Sequence, residues 1–419
     1  MATGYLEILK ARHALRLLTG TLVGRLPNAT AAIALVLFVR AGGGTYSLAG
    51  ALAAVYGVAN AVGQPVLGRL VDLYGQPRVQ LPAAVLAALA MSVFAFCGTD
   101  PLPLAYAAVA AAGLFAPPLE GGLRALWPSV LSREEQVHTA YAMDAIAQEI
   151  MFTVGPLLVT LCVSLWDERA ALLVLSLLGV LGALSVVVSP PSRAWRSAPR
   201  EAHWLGALRS PGLLALLAAF LFIGIALGSI TVAAVSYADG HGGDAVYGWL
   251  MAGLGLGALA GGTVYGARRW AGAPEGRLRV LVALLAVCYL PLVLTPGVVA
   301  MVLLSVVSGV FLAPCIACAF IIVDRHAPSG TVTEAFSWLV TTFTVGASVG
   351  TGLAGPVVQA GGTVWGFALP SVAGVVSLLV LVATGGVLAA PARGGVVAAS
   401  SENDPNRGAE PRFSSGDRA

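Results

Sequence analysis

The sequence predicts an all-α membrane protein: twelve transmembrane helices in two six-helix bundles related by a pseudo-two-fold axis. Three observations predict it. The chain is 58% hydrophobic and only 10% charged, with mean hydropathy +0.87, whereas soluble domains run to about 25% charged. It contains twelve apolar runs of bilayer-crossing length, and a polar interruption leaves six on either side. A water-facing surface cannot hide so much apolar area, but a bilayer can.

A hydrocarbon core of ~30 Å takes about 20 apolar residues per helix. The runs lie at 15–40, 46–68, 80–98, 101–123, 137–161 and 170–189, then at 211–234, 245–267, 278–295, 297–322, 333–356 and 363–390. We number them spans one to twelve. Placing the N-terminus in the cytoplasm puts 20 of the 23 basic residues in inside segments. Arg40 and Arg169 fall outside, and Arg25 lies within span one. That asymmetry satisfies the positive-inside rule and fixes the expected orientation, with both termini cytoplasmic in a multi-pass plasma-membrane protein.

The expected organisation is a cytoplasmic segment 1–14, a bundle 15–190, a linker 191–210, a second bundle 211–390 and a tail 391–419. The linker carries proline, serine and four arginines. The tail is polar and of low complexity, a composition that cannot bury enough apolar area to fold. An internal repeat connects the halves. Gly50 and Gly68 recur 198 positions later as Gly248 and Gly266. Ala140-Tyr141, fourteen before Gly155, recurs as Ala335-Phe336, fourteen before Gly350.

Between spans two and three stands Gly68-Arg-Leu-Val-Asp72-Leu-Tyr-Gly75-Gln-Pro-Arg78. This resembles the signature loop of the major facilitator superfamily, G-x-x-x-D-(R/K)-x-G-(R/K)-(R/K). Leu73 replaces the usual first basic residue, and Gln76-Pro77 precede Arg78. Glycine allows the abrupt reversal. The resemblance implies that Asp72 faces the N-terminus of span eleven, where the helix dipole favours a carboxylate. It would latch the outward-facing state there; the alternative is that Asp72 and Arg78 only cap a turn. Glu120 and Arg124, four apart at the end of span four, either extend that latch or simply pair. The chain looks closest to the drug-proton antiporter branch and to actinobacterial exporters, although the arginine usually found within span four is missing.

The resemblance also implies that spans one, four, seven and ten line a central cavity. Ionisable groups in a bilayer cost at least ~2.5–3.5 kcal/mol each, so each needs a reason. Arg25, with Asn28 three residues on, would contact substrate or pair with Glu149. In span five, Tyr141, Asp144 and Gln148 form one polar stripe, while Glu149 lies about 140° around the helix from Asp144. Asp144 is the leading candidate for a protonatable coupling residue, with a structural hydrogen bond as the alternative. Ser132-x-x-Glu135 and Thr331-x-x-Glu334 match the capping box, so Glu334 reads first as a cap and second as a neighbour of Asp72.

Small-residue stripes occur in span two (Ala49, Ala53, Gly57, Ala61), span eight (Gly253, Gly257, Gly261) and span eleven (Thr342, Gly346, Gly350, Ala354). The resemblance makes these helices inter-bundle faces, where close and repackable contacts serve alternating access. Static packing is the alternative. The five cysteines, including Cys315-x-x-Cys318, lie in apolar runs and read as small hydrophobes rather than metal or redox ligands.

These readings point to a secondary transporter working by alternating access, most simply proton-coupled efflux of a small amphipathic or hydrophobic compound. Uptake or facilitated movement of a metabolite such as a sugar is the alternative within transport. No nucleophile-base set, H-E-x-x-H, G-x-S-x-G or phosphate loop supports an enzyme, and the tail is too short for a sensor domain. The expected partners are a small-molecule substrate, the bilayer and protons. No cofactor, metal or nucleic acid is expected, and the expected state is a monomer.

Overall fold

The computed structural model describes residues 2–199, 203–268, 270 and 272–389. Arg200, Arg269 and the tail 391–419 lie outside the described residues. Among those described, helices account for all regular structure. Eleven helical stretches are long and apolar enough to cross a membrane. Spans one to six are Ala14–Ala41, Ser47–Tyr74, Gln76–Cys97, Leu102–Val130, Glu134–Leu165 and Glu168–Val187. Pro211–Asp239, Ala245–Gly266, Pro274–Leu294 and Val298–His326 are spans seven to ten.

The last stretch, Val332–Ala383, has 52 residues and holds two spans. Gly362, at φ 79°, breaks it. Before the break, Gly346 and Gly350 lie on Leu221 and Ile225 of span seven, running with it. After the break the order reverses: Thr363 meets Ser236 and Ser377 meets Ala219. The chain therefore turns back on one glycine, giving twelve crossings.

Local chemistry explains the ends. Thr45, Asp167 and Ser210 cap their helices by accepting N–H bonds three residues on. Gly75, at φ 86°, ends span two, and Gln76 immediately begins span three. The expected capping boxes do not form. The helix after Ser132 starts at Glu134 without a side-chain cap, and the Thr331 hydroxyl donates to the Pro328 carbonyl instead.

Span four is interrupted. Leu102–Leu114 stops, Phe115 to Pro118 is irregular, and Leu119–Val130 resumes. Pro117 and Pro118 have no N–H to give, so the helix ladder breaks here, and two glutamines bring side-chain donors to carbonyls around the break. Gln64 of span two donates to the Ala116 carbonyl at 2.9 Å, and Gln80 of span three to that of Pro118 at 3.4 Å. The second segment carries Arg124 fully inside the bundle. Span four therefore runs to Val130 rather than 123, and Arg124 is an arginine within it, which corrects the expectation that span four holds none.

One end of the molecule gathers the N-terminal helix Ala2–Lys10, the turns that follow spans two, four, eight and ten, and the linker after span six; we call it the basic face. Among the described residues, hydrogen bonds and ring contacts between the bundles reach from this face as far as Thr341, whose hydroxyl donates to the Ala61 carbonyl at 3.4 Å. Beyond it Val345 and Val349 of span eleven are exposed. The bundles are thus closed at the basic face.

The small-residue stripes mostly serve contacts inside a bundle, which corrects their assignment to the moving interface. A Cβ on Gly257 or Gly261 would meet the carbonyl of Val306 or Val310 in span ten. Gly346 and Gly350 seat against span seven in the same way. The glycines that let the bundles approach are others. Gly68 lies on Ser337 and Glu334, Gly121 on Thr333, Gly262 on Ile146, and Gly266 on Ala142.

Candidate functional site

Two constellations occupy the closed half. The first is a cap supplied across the bundle interface. Span eleven begins at Val332, and its first N–H groups have no partner of their own. Asp72, buried at the end of span two, accepts from Thr333 N–H at 3.1 Å and Glu334 N–H at 2.9 Å. Glu334 accepts in turn from Ala207 N–H of the linker at 3.2 Å. Gly68 brings span two close enough for this, and Gly75 makes the turn behind it. Arg78 stands exposed. Its neighbour Gln76, in a usually basic position, is fully buried. Gln76 donates to the Gly122 carbonyl at 2.8 Å and accepts from the Ser192 hydroxyl at 2.8 Å, joining the turn to span four and to the chain leading into the linker.

The second constellation is a ring of four charges inside the first bundle. Arg25 of span one bonds Glu120 at 2.7 Å and Asp144 at 3.1 Å. Arg124 bonds Asp144 at 2.7 Å and Glu120 at 3.3 Å. Two guanidiniums and two carboxylates balance, which is how such charges are held where solvation is poor. Arg124 and Asp144 are fully buried, and Glu120 is the most exposed member at 15%.

The ring reaches the second bundle through Arg124. Its guanidinium carbon lies 3.7 Å from the centroid of Phe320 in span ten and 5.8 Å from that of Phe336 in span eleven. Tyr141 completes the cluster, its ring 6.1 Å from Phe320 and 5.9 Å from Phe336. Aromatic faces attract a desolvated guanidinium. Tyr141 and Phe336 are repeat counterparts in the sequence, and here they meet across the interface.

The structure joins Arg25, Glu120, Arg124, Tyr141 and Asp144, and it separates Glu149 from them. Arg25 pairs with Asp144 and Glu120 rather than Glu149, because Glu149 projects from another side of span five, within electrostatic range of Tyr289 in span nine. Glu120 and Arg124 belong to the buried ring and not to the Asp72 cap. Asn28 accepts from the Tyr56 hydroxyl at 3.3 Å. Gln148 has a buried side-chain oxygen without a hydrogen bond among the described residues. No group of three or more metal-ligating side chains occurs among the described residues. Phe320 had no signal in the sequence beyond lying in an apolar run.

No curated protein sequence matches the chain. Solved structures match its fold over most of its length. A bacterial homologue of the iron transporter ferroportin, in an outward-facing state, aligns with TM-score 0.71 and 15% identity, covering 89% of this chain and 99% of that one. The human organic anion transporter MFSD10 (TETRAN) aligns with TM-score 0.65 and 17% identity, covering 87% and 99%. The E. coli fucose:proton symporter FucP aligns with TM-score 0.65 and 15% identity, covering 88% and 97%. At these identities the likeness carries the fold alone. The family model named Major Facilitator Superfamily matches residues 17–303, more than half of the chain. With twelve spans in two bundles and the family model matched, the chain belongs to the major facilitator superfamily, a family of transporters and not of enzymes.

Proposed function

We propose that this transporter exports a small amphipathic compound across the plasma membrane in exchange for protons, as a monomer with both termini in the cytoplasm. The basic face is then cytoplasmic, and the conformation described is outward-facing. The single observation that carries the reading is the ring of Arg25, Glu120, Arg124 and Asp144, because it joins protonatable groups to the inter-bundle contact through one residue. Arg124 holds both carboxylates and also lies against Phe320 and Phe336 of the opposite bundle.

Among the described residues, the charged groups bonded to the carboxylates are Arg25 from span one and Arg124 from span four, with the Tyr141 hydroxyl of span five within electrostatic range of Asp144. A proton taken up by Asp144 or Glu120 leaves two guanidiniums sharing one carboxylate. Arg124 then loses an anchor on its own side, and the aromatic contact weakens with it. Asp72 supplies the second hold on the closed state, and a substrate that favours one state over the other shifts the balance between them. The largely apolar lining of the cavity in the first bundle supports a weakly charged substrate rather than an anion.

The test uses everted vesicles energised to an acid interior and followed with a pH-reporting dye while amphipathic compounds are added. Compound-triggered proton release, abolished by Asp144→Asn and reduced by Glu120→Gln, is the expected result. Direct flux of a compound with no proton movement would refute the antiport reading.

A further inference from the structure

Inside the first bundle, spans one, two, three, four and six enclose a cavity. Its empty space, mouth included, is about 690 Å³, and its enclosed part is narrow. The lining is two-sided. Ala31, Ala34, Ala84, Ala87, Ala88 and Met91 make an apolar wall. Arg25, Asn28, Tyr56, Gln64 and Glu120 make a polar one.

The polar wall is a built arrangement. Tyr56 donates to Asn28 at 3.3 Å, Gln64 is fixed by the Ala116 carbonyl at 2.9 Å, and Glu120 is held by Arg25 at 2.7 Å. Arg25 is 95% buried by its 5% exposure, and its Nε has no hydrogen-bond partner among the described residues. A buried N–H without a partner leaves a place for an acceptor. The amides of Asn28 and Gln64 add donors and acceptors beside it. Few convergent polar groups facing an apolar wall are the usual makeup of a small-molecule site.

From this arrangement we infer that the cavity is a ligand site within the first bundle. It takes a compact, neutral or weakly basic amphipath with an acceptor at its polar end, set against Arg25 Nε, Asn28 and Gln64, and with its apolar body along the alanines. The narrow interior excludes bulky drugs. This rests on the proposed transport of amphipaths and assigns their site. It also gives the ligand a route to the moving parts, because Glu120 is shared between the cavity and Arg124.

The test measures calorimetric binding of 2-phenylethanol and 4-ethylpyridine, one neutral and one weakly basic, to the purified full chain in detergent. Saturable binding of either probe, at least tenfold weaker in Ala88→Phe and unchanged in Val349→Phe, is the expected result. Binding that survives Ala88→Phe, or no binding of either probe, overturns the assignment. A second variant guards against misfolding: Ala87→Cys in a Cys97→Ser background, since Cys97 is the exposed native cysteine. Saturating probe should slow its reaction with N-ethylmaleimide several-fold, and an unchanged rate counts against the site. Flux of the probes in vesicles, unaffected by Ala88→Phe, would sink the site and leave the transport reading standing. Binding without flux or proton movement would do the reverse.

Discussion

Replacing Asp72 with Asn tests whether the closed basic face depends on a cap lent by one bundle to the other. The carboxylate accepts from two backbone N–H groups, at 3.1 and 2.9 Å, at the start of span eleven. Asn keeps one acceptor oxygen and removes the charge. A hydrogen bond to a charged group contributes about 1.5–3 kcal/mol, and a charge at a helix end about 0.3–1 kcal/mol. Part of this is recovered by the remaining acceptor, so the closed state should lose about 2–3 kcal/mol relative to the open one, roughly a 30- to 150-fold change in population. Hydrogen exchange at Thr333 and Glu334 reads this directly, because both amides are released when the bundles part. Exchange of the peptide spanning 331–339 should quicken by that factor, while peptides within span seven keep their rates. Unchanged exchange at 331–339 in a folded variant would refute the cap as a determinant of closure.

Arg124→Leu leaves two buried carboxylates facing one guanidinium, and breaking such a network costs about 3–5 kcal/mol. A marked fall in melting midpoint is expected, with most of it recovered by adding Asp144→Asn; absence of recovery would argue against charge balance as the cause. Gly228→Ala sets a Cβ 1.9 Å from the Ala347 carbonyl, and overpacking of this kind costs about 1–3 kcal/mol. Its melting midpoint should drop by several degrees, and more than that of Gly248→Ala, where nothing lies within 4 Å. Gly362→Ala meets no atom but forces alanine to φ 79°, ψ −177°, a region essentially reserved for glycine, at about 1–3 kcal/mol; Gly362→Asn should lower the melting midpoint as much, since asparagine gains nothing at that ψ.

The twelve crossings were legible because a bilayer imposes one length and one composition on every span. The cap at span eleven was legible through the resemblance, since Gly68, Asp72 and Gly75 stand in a recognisable spacing. The charge ring was legible only in pieces. Arg25, Asp144 and the Glu120–Arg124 spacing were each singled out, but hydropathy ended span four one residue before Arg124. Apolarity cannot detect charges that neutralise one another from three different helices. For the same reason Arg25 was offered Glu149, when the two groups leave their helices in different directions. Thr331 shows the complementary error. A local capping box looked sufficient, yet the partner comes from 261 positions earlier in the chain, between Asp72 and Thr333. The glycine stripes were read correctly as close contacts and wrongly as mobile ones, because one sequence cannot say which neighbour a small residue faces.

The single-glycine reversals at Gly75 and Gly362 have a further consequence. Each fastens an interface helix to an outer one, span two to span three and span eleven to span twelve, with no slack between them. Neither interface helix can slide along its own axis unless its outer neighbour is dragged through the lipid with it. The permitted motion is therefore a swing of stiff paired levers, and the compliance the molecule needs is concentrated in the segment joining the bundles. Lengthening that segment should alter how fast the halves exchange places, whereas lengthening either glycine turn would loosen the lever itself.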